Sequence, residues 1–138
     1  KQNLMRLVNK LNLSTKTQLL GWISEDKLPL WYAKARLVVF CAKDEPFGIV
    51  PLEAMASGTI VITANSGGMK ESIINHKTGF LIDRLSPEKL AEKITEILKN
   101  EKKLEQIAIN ARKNVQSKFS WEATTGVIED ILLKASKK

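Results

Sequence analysis

Residues 45–53 read Glu45-Pro46-Phe47-Gly48-Ile49-Val50-Pro51-Leu52-Glu53, directly after the apolar run Leu37-Val38-Val39-Phe40-Cys41. The run from Leu37 to Ala42 has the continuous apolar character of a buried parallel strand, and Gly48 to Ser57 reads as the next helix. Strand, loop and helix start, in that order, mark where open parallel sheets bind ligands. Free N–H groups near Phe47, Gly48, Ile49 and Val50 suit an anion such as a pyrophosphate. Pro51 lacks an N–H, but the first turn does not need one there. Glu45 and Glu53, eight positions apart, are then placed to accept hydrogen bonds from hydroxyl groups on either side of that anion. A polyhydroxylated diphosphate is the simplest ligand that uses all three features.

Each of these residues also has a plainer reading. Glu53 as an exposed helical carboxylate would gain only a little from the helix dipole. Its neighbours Leu52, Ala54, Met55 and Ala56 instead predict a helix buried nearly all round, where a carboxylate requires partners. Ligand binding is therefore the stronger reading of Glu53. Glu45 alone fits a solvated Asp44-Glu45-Pro46 loop as well as it fits a site. Gly48 is either a helix-start glycine or a point where backbone approaches phosphate closely, with no Cβ to intrude. Gly67 and Gly68, between a strand and a helix, are adequately explained as a turn. Glu71 needs no more than a first-turn role, and His76 reads as exposed.

Outward from this stretch, helix and strand signals alternate. Residues 3–11 read as a helix, Thr17 to Trp22 as a short strand, and about Glu25 to Ala35 as a helix with Leu28, Trp31, Tyr32 and Ala35 on one face. Thr59 to Ala64 is the next strand, a short helix lies around Met69 to Ile74, and Phe80 to Ile82 closes the series. Beyond Asp83 the text is helical. Ser86-Pro87-Glu88 is an N-cap, first-position proline and acidic first turn; Leu104 to Val115 mark a second helix; Ser120 caps a third. Strands alternating with helices predict an α/β fold, a Rossmann-like parallel sheet with helices on both faces and a helical C-terminal end.

At 138 residues the chain suits one domain. No apolar run spans a bilayer, and no signal-peptide pattern opens the chain. The chain begins with Lys1 in helical text and reads as a segment of something longer. The single cysteine, Cys41, excludes an internal disulfide, fits a reducing, cytoplasmic compartment and reads as a core residue. The net charge of +7 divides into +6 over residues 1–43, −3 over 44–83 and +4 over 84–138. A nucleic-acid reader concentrates basic groups at its binding motif, and here that segment is the acidic one. No nucleic-acid partner is expected, and weak peripheral contact with anionic lipid is a lesser expectation. No His/Cys/Asp cluster has metal-ligand spacing, so neither metal nor cofactor is expected.

Glu45 through Glu53, continued as Ala54-Met55-Ala56-Ser57-Gly58 and Ile60-Val61-Ile62-Thr63, resembles the E-x7-E region of retaining glycosyltransferases with the two-domain GT-B fold, group 1. The resemblance runs on through Gly67-Gly68-Met69-Lys70-Glu71, Thr78-Gly79-Phe80-Leu81 and Pro87-Glu88-Lys89-Leu90-Ala91 to Phe119-Ser120-Trp121. It covers essentially the whole chain, with its motifs in order. It implies that residues 1–138 are most of a C-terminal, nucleotide-sugar-binding domain, truncated at its N-terminal side. The acceptor-binding N-terminal domain and the upstream Arg and Lys for the donor phosphates have no counterpart here; Lys1, Arg6 and Lys10 do not match that pair.

In the family, the glutamate matching Glu53 holds the ribose hydroxyls, and the one matching Glu45 lies beside the donor sugar and the reacting centre. Glu45 is thus the catalytic candidate. Glu45, Phe47, Gly48, Ile49, Val50, Glu53, Gly67 and Gly68 are the substrate-binding candidates, and the partner is a nucleotide diphosphate sugar. The alternative is a nucleotide- or sugar-phosphate-binding module without chemistry. A flavodoxin-like signalling domain would need an acidic cluster and a downstream lysine that this spacing does not provide.

Overall fold

The computed structural model describes residues 2–42 and 44–136, the side chains of residues 101–103 excepted. Helix α1 (Gln2–Lys10) opens the chain, followed by α2 (Leu28–Lys34) and strand β1 (Val38–Phe40). Then come α3 (Ile49–Ala56), β2 (Val61–Ala64), α4 (Met69–Ser72) and β3 (Phe80–Ile82). Three helices end it: α5 (Pro87–Leu98), α6 (Glu101–Lys118) and α7 (Trp121–Ala135).

The strands form one parallel sheet in the order β1-β2-β3, with Val38 opposite Val61 and Ile62 opposite Phe80. Because successive side chains of a strand point to opposite faces, β2 feeds two cores. Val61 packs with Leu52, Ala54 and Met55 of α3 and with Ala111 and Val115 of α6. Ile60 and Ile62 pack on the other side with Phe80, Ile82, Ile97 of α5 and Ile107 of α6. Helices therefore cover both faces, and the expected Rossmann-like α/β architecture is what the chain adopts. Local signals set several boundaries. The hydroxyls of Ser86 and Ser120 accept from the amides of Lys89 and Ala123, capping α5 and α7 as their sequence predicts.

Four expectations need correction. Thr17 to Trp22 forms no strand: a strand needs a hydrogen-bonded neighbour, and none among the described residues pairs with it. Trp22 is left 86% exposed. The strand expected from Leu37 to Ala42 is only three residues long and stands at the sheet edge, so Val39 is 40% exposed. Cys41 lies just beyond that strand and is exposed, not in the core. The helix expected from Glu25 begins at Leu28, one residue before Pro29, whose missing N–H suits a helix start. Of the three upstream basic residues, Lys1 lies outside the described residues, whereas Arg6 and Lys10 are on α1, which buries no residue.

Candidate functional site

The loops after β1 and β2 meet at the carboxyl end of the sheet. The amide of Gly68 donates to the carbonyl of Glu45 at 2.9 Å, and the amide of Asp44 to the Ser66 hydroxyl at 3.4 Å. Gly67 has φ +53°, and a Cβ on it would run into the Glu45 carbonyl oxygen. A Cβ on Gly68 would lie 2.7 Å from the Phe47 Cα. The glycine pair is therefore more than a turn: it lets one loop backbone lie directly on the other. The same end is tied to β3 through Asn65, whose amide nitrogen donates to Asp83 at 2.6 Å.

Gly48 caps α3 with φ +85°, and its missing Cβ makes room for the buried side chain of Met69. Packing and backbone conformation are thus sufficient reasons for this glycine. The N–H groups of Phe47, Gly48, Ile49 and Val50 have no hydrogen-bond acceptor among the described residues, and the first backbone bond of α3 runs from Leu52 to Gly48. Phe47, Ile49 and Val50 expose their side chains at this rim, while Gly48 and Gly68 are buried and Glu45 is half-buried. The Phe47 ring meets Phe119 edge-on, with centroids 6.0 Å apart, and so anchors the loop to the α6–α7 junction.

Glu53 lies one turn into α3. It is half-buried rather than enclosed, because α3 buries Pro51, Leu52, Ala54 and Met55 but turns its remaining side chains outward. The carboxylate opens onto a groove of about 600 Å³ between α2 and α3, walled by Leu28, Pro29, Tyr32, Ser57 and Arg112 among others. Glu45 does not line this groove. The Tyr32 hydroxyl donates to Glu53 Oε2 at 3.1 Å. Burial of the phenol, then the hydrogen bond and the charge of Glu53, push the Tyr32 pKa up to about 12. The phenol remains a proton donor at neutral pH.

The structure therefore brings Glu45, Gly48, Gly67 and Gly68 together, sets Phe47, Ile49 and Val50 at their rim, and places Glu53 one turn further along α3, in a groove that none of them lines. Sequence reasoning missed Tyr32 as a partner, having placed it on an apolar helix face. The available signal was its hydroxyl, which on a packed face seeks an acceptor. His76 is exposed and meets Phe80 edge-on. Among the described residues no group of His, Cys, Asp or Glu is arranged to hold a metal ion. A shallower hollow of about 210 Å³, lined by Arg36, Thr59 and Ile60, lies at the opposite, amino end of the strands.

Residues 1–114 match the family model described as Glycosyl transferases group 1. An uncharacterized glycosyltransferase of Methanocaldococcus jannaschii is 36% identical over 116 residues, covering 84% of this chain and 30% of that protein. Sucrose-phosphate synthase from Thermosynechococcus elongatus superposes with a TM-score of 0.87 at 33% identity, over 97% of this chain and 34% of the other. The Anabaena protein HepE, solved in complex with UDP, superposes with a TM-score of 0.89 at 28% identity, over 96% and 36% of the two chains. The chain thus spans about a third of the length of each protein it matches here.

Proposed function

The chain belongs to the glycosyl transferases group 1 family, and on that premise we propose that it is the donor-binding part of a retaining glycosyltransferase. The parent protein moves a sugar from a nucleotide diphosphate sugar to an acceptor. The observation that carries this reading is the set of amides from Phe47 to Val50, without an acceptor among the described residues, at the carboxyl end of β1 and flanked in sequence by Glu45 and Glu53. Amides at a helix start favour the diphosphate, more so as it leaves with negative charge. Glu53 accepts from the ribose hydroxyls. Glu45 accepts from the sugar and stabilises the positive charge that builds on the anomeric carbon. UDP in the HepE complex supports a nucleotide ligand.

The rest of the active site belongs to the parent. The edge of β1, which no strand among the described residues covers, and the segment Thr17–Trp22, which pairs with none of them, are suited to strands contributed from outside these residues, with the basic groups for the phosphates. Helix α7 buries no residue and exposes Trp121, Val127, Ile128, Ile131 and Leu132, which supports packing against the acceptor domain. No helix among the described residues is long and apolar enough to cross a membrane. The lone Cys41 and the basic surface fit a cytoplasmic protein with weak peripheral lipid contact.

Calorimetry of the parent protein with UDP, GDP, ADP and their sugars tests the reading. One nucleotide series should bind, and its sugar should be transferred with retention. Binding without turnover of any donor would leave a non-catalytic module, and no binding would reject the site.

A further inference from the structure

Glu53 has a single side-chain partner among the described residues, and that partner is itself fixed. The Tyr32 backbone carbonyl accepts from the Thr59 hydroxyl at 2.6 Å and from the Ala35 amide at 2.9 Å. Thr59 is buried, and the Tyr32 ring packs against the core cluster that contains Leu52, Met55 and Val61. Tyr32 is therefore held at its backbone by Thr59, just before β2, and at its ring by the core. Glu53 is a flexible side chain at the wall of an open groove, and without a donor it would sample several rotamers. An ionised carboxylate has about four lone-pair sites, of which the phenol takes one. No other side chain among the described residues takes the remaining sites, and Glu53 lines the groove.

We propose that the Tyr32 hydroxyl is a positioning group that holds the Glu53 carboxylate ready for the two ribose hydroxyls of a nucleotide donor. This rests on the assignment of Glu53 to the ribose. A carboxylate already held loses less freedom when a ligand arrives, so affinity rises without a new contact to the ligand. The contribution concerns the ribose hydroxyls alone. It is absent for a nucleotide that lacks them.

The experiment uses the full-length parent protein, with Tyr32→Phe, Glu53→Ala and the double variant. Each is titrated with UDP, GDP and ADP and with their 2′,3′-dideoxy counterparts. Phe keeps the packed ring, and the ratio of the two affinities within one variant cancels any general loss of folded protein. Wild type should prefer the ribonucleotide, and Glu53→Ala should abolish that preference. Tyr32→Phe should reduce it roughly three- to tenfold, the scale of one hydrogen bond, with dideoxy affinity unchanged. The double variant should match Glu53→Ala. A full preference retained in Tyr32→Phe, or equal loss for both nucleotides, would overturn the positioning role and leave the role of Glu53 standing. A wild type without preference, or a preference that survives Glu53→Ala, would reject the ribose assignment and the positioning role with it.

Discussion

The amide of Gly68 donates to the carbonyl of Glu45 across 2.9 Å, joining the two loops that end β1 and β2. The contact is backbone to backbone, so it fixes where the Glu45 main chain lies whatever its side chain does. The adjoining Gly67 lies against the same carbonyl, where no Cβ fits. Two residues that carry no functional group thereby set the backbone of the Glu45 loop.

Gly67→Ala tests this. A left-handed backbone costs a residue with a Cβ about 1–2 kcal/mol, and the clash with Glu45 adds to it. Gly58→Ala is the control, since Gly58 has φ +81° but a Cβ there would meet nothing within 4 Å. Urea denaturation should show Gly67→Ala to be the more destabilising. Equal losses would mean that the loops do not depend on this approach.

Glu53→Ala should weaken nucleotide binding by roughly 1.5–3 kcal/mol, the range for a hydrogen bond to a charged group. A sugar phosphate without ribose should bind both forms equally. Unchanged nucleotide affinity in a folded variant would remove Glu53 from the site.

Glu45→Gln should act on turnover. In the parent enzyme it should depress kcat more than affinity for the bare nucleoside diphosphate, because its partner is the sugar and the charge developing there. Equal loss of affinity for the diphosphate would make Glu45 a nucleotide ligand instead.

Tyr32 is the only tyrosine, so tyrosinate absorbance reports it alone. Burial first, then Glu53, raise its pKa from 10.0 to about 12. A raised folded-state pKa means that this contribution to stability is full below pH 10 and is lost as pH rises through about 12. Glu53→Gln should move ionisation back toward the ordinary value. Ionisation near pH 10 in the folded wild type would show that the phenol is not held by Glu53.

The 138-residue chain by itself should show no sugar transfer and should bind donors weakly. In an open cleft, hydrogen bonds from Glu53 and the α3 amides compete with water, and no second domain excludes it. Dissociation constants nearer millimolar than micromolar are expected, on the order of 4–6 kcal/mol of binding. Calorimetry and a donor-turnover assay check both statements. Robust transfer by these residues alone would show that they contain an acceptor site.

Much of the fold was legible because its signals are local. The apolar runs at Val61 and Phe80 marked strands, and Ser86-Pro87-Glu88 and Ser120 marked helix starts that the structure places at the same residues. Thr17–Trp22 misled because its composition is that of a strand while strand formation depends on a neighbour. Cys41 misled for a related reason: apolar character predicts burial only if another element covers the position. At the site, the sequence pointed to Glu45, Glu53 and the glycines without saying which of them touch.

By itself the sequence determined the α/β alternation and the helix caps and singled out Glu53, because each follows from residue type and near-neighbour spacing, whereas Glu45 became a candidate through the family resemblance. Only the tertiary structure decided that Gly67 and Gly68 support the Glu45 loop and that Tyr32, twenty-one residues upstream, is the partner of Glu53. Such contacts join segments far apart in the chain. They arise where packing brings two elements together, and hydrogen-bond geometry at about 3 Å cannot be read from spacing along the chain.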